Sequence, residues 1–250
     1  MNHLIRAELL KLRTTRMLYL NAGATLAFVP LSVATSIVSA GDPGAGPALT
    51  TSEGLRNVLS AASSGSLVIL MLGVLVMAGE FRHNTATSTF LISPDRSQVV
   101  RAKLIAASIV GLLLALAASA LTLVIALPWL ASKDIDVNVL SGDVAPVLLG
   151  GIVATALYAM VGVGVGSMVR NQTAAVAGAV VWVLVVEGLL VSFAPEIGRW
   201  LPGGAASALS GVATANGGLL PMWAAALLLT VYGLAFAAGG TRLVLQRDVT

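Results

Sequence analysis

The sequence predicts an all-α integral membrane protein with six transmembrane helices, and three observations lead to this fold class. Of the 250 residues, 57% are hydrophobic and only 10% are charged, and the mean hydropathy is +0.94. A soluble domain usually has about 25% charged residues. The apolar residues fall into runs long enough for helical crossings, because a hydrocarbon core of about 30 Å takes about 20 residues of helix. The basic residues gather in the segments on one side of these runs.

Six apolar runs are expected to cross the membrane within a single transmembrane domain, residues 1–250. The first run is too long for the core of a signal peptide, so we expect it to remain in the protein as span one. Turn-rich or charged segments separate the runs. The predicted spans cover residues 17–38, 60–79, 104–130, 144–169, 173–193 and 222–238.

The segment 1–16 is expected to form a helix that lies on the membrane surface ahead of span one. Ile5, Leu9 and Leu12 recur at helical spacing and would share a narrow apolar face. Charged side chains flank that face. They are Arg6, Glu8, Lys11, Arg13 and Arg16.

The segment 194–221, between spans five and six, is expected to form an extracellular re-entrant hairpin. It contains three prolines and several glycines but few charges. Its small-residue stretch, 205–215, is too short and too weakly apolar to cross a bilayer. Irregular backbone at membrane depth is tolerated where protein covers it.

The distribution of basic residues predicts a multi-pass protein of the cell membrane with both termini in the cytoplasm. With that orientation, eleven basic residues lie on the cytoplasmic face and only three, Arg56, Lys133 and Arg199, on the other. This is a strong positive-inside bias. The net charge of +3 is a small excess that this asymmetry explains, so no nucleic-acid partner is expected.

Searches for enzyme motifs find no catalytic site. The chain has no cysteine, which removes thiolate metal sites and cysteine nucleophiles. A phosphate-binding loop needs a Gly-Lys pair, and none of the three lysines follows a glycine. The two histidines, His3 and His83, do not form a metal-binding motif. We therefore expect a protein that is not an enzyme and that binds no metal or other cofactor itself.

Glycines within the spans are interpreted as helix contacts. Gly162, Gly164 and Gly166 alternate with valine inside span four, and no soluble strand precedes them as a nucleotide-binding loop would require. Small residues let transmembrane helices approach closely. Gly73, Gly162 and Gly166 are the predicted packing positions.

Glu187 is the one carboxylate well inside a predicted span, and two roles remain open for it. It lies about 21 Å along the helix from Thr173, which places it toward the outer face. A charge in lipid is unfavourable, so the carboxylate should face protein or water. It would either bond the hairpin 194–221 or line a substrate path.

The polar segment 80–103 has a composition that suits docking on a cytoplasmic protein. It combines hydroxyl side chains with the apolar run 90–92. Ser93 and Pro94 suit the N-cap and first position of a helix, so the helix of span three is expected to begin there, outside the membrane. At the start of the segment, Glu80 is expected to form an interfacial ion pair with Arg82.

Three stretches, in chain order, resemble the permease subunits of type 2 ATP-binding-cassette transporters. Residues 4–16, LIRAELLKLRTTR, are similar to the amphipathic helix that precedes span one in that family. Residues 79–85, GEFRHNT, with Pro94, Arg96 and Lys103 after them, are similar to its cytoplasmic coupling segment. Residues 201–209, LPGGAASAL, resemble its short re-entrant extracellular helices.

This resemblance implies a half-transporter that works as an exporter in the cell membrane. Two six-span permease copies would form the membrane body, with a pathway flanked by spans two and five at their interface. Separate cytoplasmic ATPase subunits would bind ATP and Mg. The residues implied to contact the ATPase include Glu80, Phe81, Arg82, Thr85, Thr89, Phe90 and Leu91.

The cargo and two alternative functions are less constrained by the sequence. Few polar residues in the spans favour a hydrophobic or amphipathic cargo, such as a drug, lipid or peptide. An ion-coupled secondary transporter usually has several ionisable groups near the midplane and an internal repeat. This chain has one carboxylate well inside a predicted span, Glu187, and no convincing repeat. A membrane scaffold or immunity protein without transport activity also remains open.

Overall fold

The computed structural model describes residues 1–42, 46–82, 96–139, 144–169, 171–211 and 218–245. Within these ranges the protein is helical and has no β-strand. Six of its helical paths are long and apolar enough to cross a membrane. The predicted all-α membrane fold with six crossings is therefore confirmed.

The helices are numbered here in chain order. The first half contains α1 (Asn2–Thr14), α2 (Arg16–Val38), α3 (Ser52–Leu59), a 3₁₀ turn (Ser60–Ser63), α4 (Ser66–Arg82) and α5 (Arg96–Ala131). The second half contains α6 (Ala145–Met168), α7 (Gln172–Val181), a π-helical turn (Trp182–Glu187), α8 (Gly188–Phe193), α9 (Pro195–Gly198), α10 (Pro202–Leu209) and α11 (Met222–Leu245).

The six crossing paths alternate in direction, so the molecule has two ends. The path of span two begins in α3 and continues through α4, and the path of span five combines α7, the π-helical turn and α8. We call the end that holds α1, the last residues of α4 and the first residues of α5 the basic end. The other end holds α3, α9 and α10 and is called the hairpin end.

The helical path of span two starts at Ser52, earlier than the sequence-based start at residue 60. The Thr51 hydroxyl accepts a hydrogen bond from the Gly54 backbone N–H at 3.1 Å, which caps α3. Glu53 lies in the first turn, where a negative charge stabilises the helix dipole. The sequence prediction left these polar residues outside span two, but they suit a helix N-terminus.

The helix of span three, α5, is longer than a bilayer requires. Its 36 residues extend about 54 Å, whereas a hydrocarbon core is about 30 Å thick. The expectation that this helix begins at Ser93 and Pro94 concerns residues outside the described ranges. The extra length carries the first turns of α5 beyond the apolar core at the basic end.

The fourth span, α6, is the centre of the bundle. It packs against α4, α5 and α11, and a larger share of it is buried than of any other crossing path. Close approach to α4 occurs where glycines face each other. A Cβ added to Gly73 would overlap the backbone carbonyl of Ala159, and one added to Gly162 would overlap that of Leu70. A Cβ at Gly166 would lie 2.6 Å from the Val74 carbonyl oxygen.

The hairpin end is closed by two short helices in the segment predicted to be a re-entrant hairpin. The helix α10 packs against α6 and α11 and buries Ala205, Ala208 and Leu209. Pro202 occupies its first position, where the missing N–H would have no helical partner. The short helix α9 packs against α8.

Replacing Gly162 by alanine should weaken the contact between α4 and α6, because the new methyl group would overlap the Leu70 carbonyl. We expect a loss of about 1–3 kcal/mol in the free energy of unfolding, the usual effect of overpacking. Denaturant unfolding of the protein in detergent micelles measures it.

The matched control is Gly178→Ala in α7, where an added Cβ meets no atom within 4 Å. Alanine forms helices better than glycine, so this variant should be as stable as the wild type or slightly more stable. Equal stability of the two variants would contradict the close contact.

Candidate functional site

Four charged side chains meet at the basic end, where α1, α4 and α5 come together. The Lys103 ammonium donates to Glu8 Oε2 at 2.7 Å and to Glu80 Oε1 at 2.8 Å. The Lys11 ammonium donates to Glu8 Oε1 at 2.9 Å and to Glu80 Oε1 at 3.0 Å. We call Glu8, Lys11, Glu80 and Lys103 the charge cluster. It contains two positive and two negative groups, so its net charge is zero.

The charge cluster is largely removed from solvent. Lys103 is 1% exposed, and Glu8 and Glu80 are also buried. The Lys11 side chain is half exposed. Burying a single ion costs several kcal/mol, and paired charges with short hydrogen bonds offset much of that cost. The buried ions of the charge cluster therefore stabilise one another inside the protein.

The sequence of α1 explains how it reaches this position. Glu8 and Lys11 are three residues apart, so they lie on one side of the helix. Leu12, next to them, is buried among Leu72, Val100 and Leu104 of α4 and α5. The predicted apolar face of Ile5, Leu9 and Leu12 is thus partly turned toward the protein.

Two of the five charged residues assigned to the surface of α1 belong to the charge cluster. Glu8 and Lys11 contact α4 and α5, whereas Arg6, Arg13 and Arg16 are exposed. Pairing with Lys103 and Glu80, which lie far away along the chain, turns Glu8 and Lys11 inward. An amphipathic pattern alone does not show this.

The charged partners of Glu8 and Lys11 shift the pKa values of these two α1 residues. Burial raises the pKa of Glu8, but the ammonium groups of Lys103 and Lys11 outweigh burial and leave the pKa below its ordinary value of 4.5. Burial lowers the pKa of Lys11, but its hydrogen bonds to Glu8 and Glu80 outweigh burial and leave the pKa above 10.5. Both side chains are therefore ionised at neutral pH.

The expected ion pair between Glu80 and Arg82 does not form. Residues two apart on a helix face different directions, and Glu80 turns toward Lys103 instead. Arg82 is exposed, and its Nη1 donates to the Gln172 side-chain oxygen at 3.4 Å. The end of α4 thus lies beside the start of α7.

The other residues predicted to contact an ATPase fall mostly outside the described ranges. Thr85, Thr89, Phe90 and Leu91 lie outside them, as does the side chain of Phe81. Of the predicted coupling residues, Glu80 and Arg82 are those whose side chains can be placed.

Glu187 lies at the hairpin end, where its carboxylate joins span five to α10. The side chain is 2% exposed. Its Oε1 accepts from the Trp182 indole N–H at 2.8 Å, and its Oε2 accepts from the Gly203 backbone N–H. Gly203 lies in the first turn of α10, where backbone N–H groups have no partner within their own helix. The Glu187 carboxylate, which belongs to span five, therefore supplies an acceptor for one of the unpaired N–H groups at the start of α10.

The π-helical turn brings Trp182 and Glu187 together. Residues five apart on a regular α-helix lie about 140° apart around the axis. In a π-helical turn the hydrogen bonds connect residues five apart, so these residues lie closer to the same side of the helix than they would in a regular α-helix. A residue without a side chain is needed at position 203, because a Cβ added to Gly203 would overlap the Glu187 carboxylate.

A cavity of about 580 Å³ lies beside Glu187 at the hairpin end. It lies between α2, the start of span two, α6, span five and α10. Tyr158 is the lining residue from α6, and Leu67, Val183 and Val191 give the cavity apolar patches. Hydroxyl groups form much of the remaining wall. The serines of this serine-lined cavity are Ser32, Ser60, Ser63, Ser64, Ser66, Ser192, Ser207 and Ser210.

Across the ranges that the structure describes, no three His, Asp or Glu side chains gather into a group able to hold a metal ion. The charge cluster is internally paired, and the serine-lined cavity has no histidine in its wall. The described residues thus place a paired charge cluster at one end of the bundle and a polar-walled cavity at the other.

The fold defines an integral membrane protein with six candidate spans in its described residues. The family model described as ABC-2 family transporter protein matches residues 4–186. This match covers most of the chain, so the protein belongs to the ABC-2 transporter family as a permease-type membrane subunit. A search among curated proteins finds no match to the chain.

Sequence reasoning missed the charge cluster as a unit. Lys103 was assigned to a polar segment outside the membrane, yet its side chain is the most buried of the four. Two features of the sequence could have indicated the cluster. One is the three-residue spacing of Glu8 and Lys11, and the other is the pair of opposite charges, Glu80 and Lys103, at the ends of adjacent spans. The serine-lined cavity combines residues from five parts of the chain, so no local pattern indicates it.

Replacing Glu187 by glutamine should destabilise the hairpin end. Both carboxylate oxygens accept from N–H donors, whereas a glutamine amide has one acceptor oxygen and places an NH₂ against the other donor. A buried donor without a partner costs about 1–3 kcal/mol, which should appear as a lower unfolding free energy in detergent.

Glu196→Gln is the matched control, because the Glu196 side chain is 73% exposed and pairs only with the neighbouring Arg199 among the described residues. Its effect should be close to zero, as for most exposed pairs. If Glu187→Gln is as stable as this control, the carboxylate does not hold α10.

Proposed function

We propose that this protein is the membrane-spanning half of an ATP-driven exporter of the cell membrane. Two copies form the membrane body, and separate cytoplasmic ATPase subunits bind the segment that follows Glu80. ATP and Mg bind to those ATPases, because this chain has no Gly-Lys phosphate-binding motif. Membership in the ABC-2 family supports the transport role.

The distribution of charge supports an orientation with the basic end in the cytoplasm. The charge cluster, Arg82 and Arg101 lie at this end of the described helices, and positive residues favour the cytoplasmic side. In this orientation both termini and the ATPase-binding segment share one compartment. The hairpin end then faces outward.

The observation that carries the coupling proposal is the contact between Glu80 and Lys103. These residues lie near the two ends of the coupling segment 80–103, and their ion pair closes its base. The same two residues hold α1 through Glu8 and Lys11. A force applied to the segment is therefore passed to α4, α5 and α1 together rather than absorbed by one flexible connection.

Movement of these helices can reach the centre of the bundle. The last turns of α4 lead directly to its glycine contacts with α6, and interfaces of small residues permit two close packings of the same helices. We propose that ATP binding brings the ATPase subunits together and that the coupling segments move with them. The two copies then open at the hairpin end.

The serine-lined cavity is the proposed binding region for an amphipathic cargo. Several of its hydroxyls bond to backbone carbonyls of their own helices, such as Ser192 to Gly188 and Ser207 to Gly203. Each such oxygen keeps a lone pair that can accept from a cargo. The Ser64 Oγ is buried with no partner among the described residues. Leucine and valine side chains beside these groups suit the apolar part of the cargo.

The two alternative functions are less well supported. An ion-coupled transporter needs a carboxylate that is accessible to the ion, but Glu187 is buried with protein donors on both oxygens. A scaffold or immunity protein without transport activity would not respond to an ATPase. Failure of a cognate cytoplasmic ATPase to bind the purified protein would favour that function.

Replacing Arg82 or Phe81 by alanine should uncouple ATP hydrolysis from transport while membrane insertion stays normal. Both residues lie where the coupling segment begins, so their loss should weaken the ATPase contact. The protein and its ATPase, reconstituted in proteoliposomes, allow cargo flux and ATP hydrolysis to be measured together. We expect the flux per ATP to fall by about tenfold, equivalent to the loss of about 1.4 kcal/mol of coupling.

The matched control is Lys133→Ala, which removes one exposed positive charge at the hairpin end. Its flux per ATP should equal that of the wild type. Unchanged coupling in both the Arg82 and Phe81 variants would refute the proposed ATPase contact.

A further inference from the structure

A second cavity lies on the outer surface of the bundle, away from the serine-lined cavity. It has a volume of about 470 Å³ and lies where α5, α6 and α11 meet. Its wall is almost entirely apolar and includes Met160 of α6 and Leu234 of α11. We call it the outer groove. The proposed transport cycle gives it no role.

The helix α5 forms one complete side of the outer groove. Its contributing residues recur every three or four positions, so they form one face of the helix. They are Arg101, Leu104, Ile105, Ser108, Ile109 and Leu112. From Arg101 to Leu112 this face extends about 16 Å, which is close to half of a hydrocarbon core of about 30 Å. The groove therefore has the depth of one lipid leaflet.

The Arg101 guanidinium lies at the mouth of the outer groove, which Met1, the residue ahead of α1, also lines. Arg101 is exposed at the basic end, and its Nε donates to the Ser97 carbonyl at 3.2 Å while one Nη donates to the Ser97 hydroxyl at 3.1 Å. Ser97 thus orients the guanidinium. Two of its five N–H donors are used in this way, and a guanidinium matches the geometry of a phosphate.

We propose that the outer groove binds an anionic phospholipid of the leaflet at the basic end. One acyl chain lies along the apolar face of α5, and the phosphate accepts hydrogen bonds from Arg101. The charge at the mouth complements the head group, and the depth of the groove complements one acyl chain. Basic pockets between transmembrane helices commonly bind acidic lipids in this way.

The groove fits a lipid better than a second copy of the chain. Its apolar wall ends at a charged residue at membrane-surface height, and it is as long as one leaflet rather than the whole bilayer. Binding of a lipid here would connect α5, α6 and α11, which belong to spans three, four and six. The inference concerns lipid binding alone and does not depend on an ATPase.

Native mass spectrometry of the purified protein in detergent tests the proposal. Phosphatidylglycerol and phosphatidylcholine with identical acyl chains are added separately, and the bound fraction is measured. We expect the wild type to retain phosphatidylglycerol about fivefold to tenfold better, as one basic contact with an acidic head group provides. Arg101→Gln should remove this preference, while Arg242→Gln, which removes an exposed charge at the same end, should keep it.

The groove itself is tested with Ser108→Trp, which fills it, and with Leu113→Trp, which places the same side chain on an exposed part of α5 outside the groove. The first variant should lower retention of both lipids, and the second should not. Arg101 is exposed, so its substitution tests the head-group contact even if Ser108→Trp does not fold.

Three results would overturn the proposal. The first is equal retention of the two lipids by the wild type, and the second is an unchanged preference in Arg101→Gln. The third is loss of the dimer in Ser108→Trp with lipid retention unaltered, which would assign the outer groove to the contact between copies of this chain.

Discussion

The buried ammonium group of Lys103 is the interaction on which the basic end of the molecule depends. It is 1% exposed and contacts carboxylates from two different helices, Glu8 of α1 and Glu80 of α4. An unpaired charge at this depth would cost several kcal/mol, so the three helices must arrive together for any of them to be stable there. Lys11 completes the set from the half-exposed side and makes the cluster neutral.

The hairpin end is organised by an analogous constraint. The N–H groups at the start of α10 need acceptors because water is scarce at membrane depth. Glu187 supplies one from span five, and the π-helical turn orients it together with Trp182. Buried carboxylates therefore join separate helices at both ends of the bundle: Glu8 and Glu80 at the basic end and Glu187 at the hairpin end. Between these ends, α6 packs closely against α4 through glycines, which connects the proposed site of ATPase force to the serine-lined cavity.

The number and order of the membrane helices could be predicted because lipid imposes one strong rule on sequence. A crossing helix must satisfy its own backbone and present apolar side chains, so six apolar runs predict six helices. Helix ends were less predictable. The polar residues Thr51 and Glu53 suit both a loop and a capped helix, and the contacts around α3 favour the helix.

The sites were less predictable than the fold because their partners lie far apart along the chain. Glu8 and Lys103 are separated by 95 residues, and a charge at the end of an apolar run is usually exposed. Glu187 was recognised as unusual, but its partners were not. One is a backbone N–H, and the other is a tryptophan at a spacing that a regular helix would place on a different side. The π-helical turn has no signature in the sequence that we could identify.

A double-mutant cycle between Glu80 and Lys103 tests the central claim that this ion pair closes the base of the coupling segment. The unfolding free energy is measured in detergent for the wild type, Glu80→Gln, Lys103→Gln and the double variant. The account predicts that the double variant is destabilised by less than the sum of the single variants, with an interaction energy of about 1–3 kcal/mol. Additive effects, within about 0.5 kcal/mol, would show that the two residues act independently and would contradict the account.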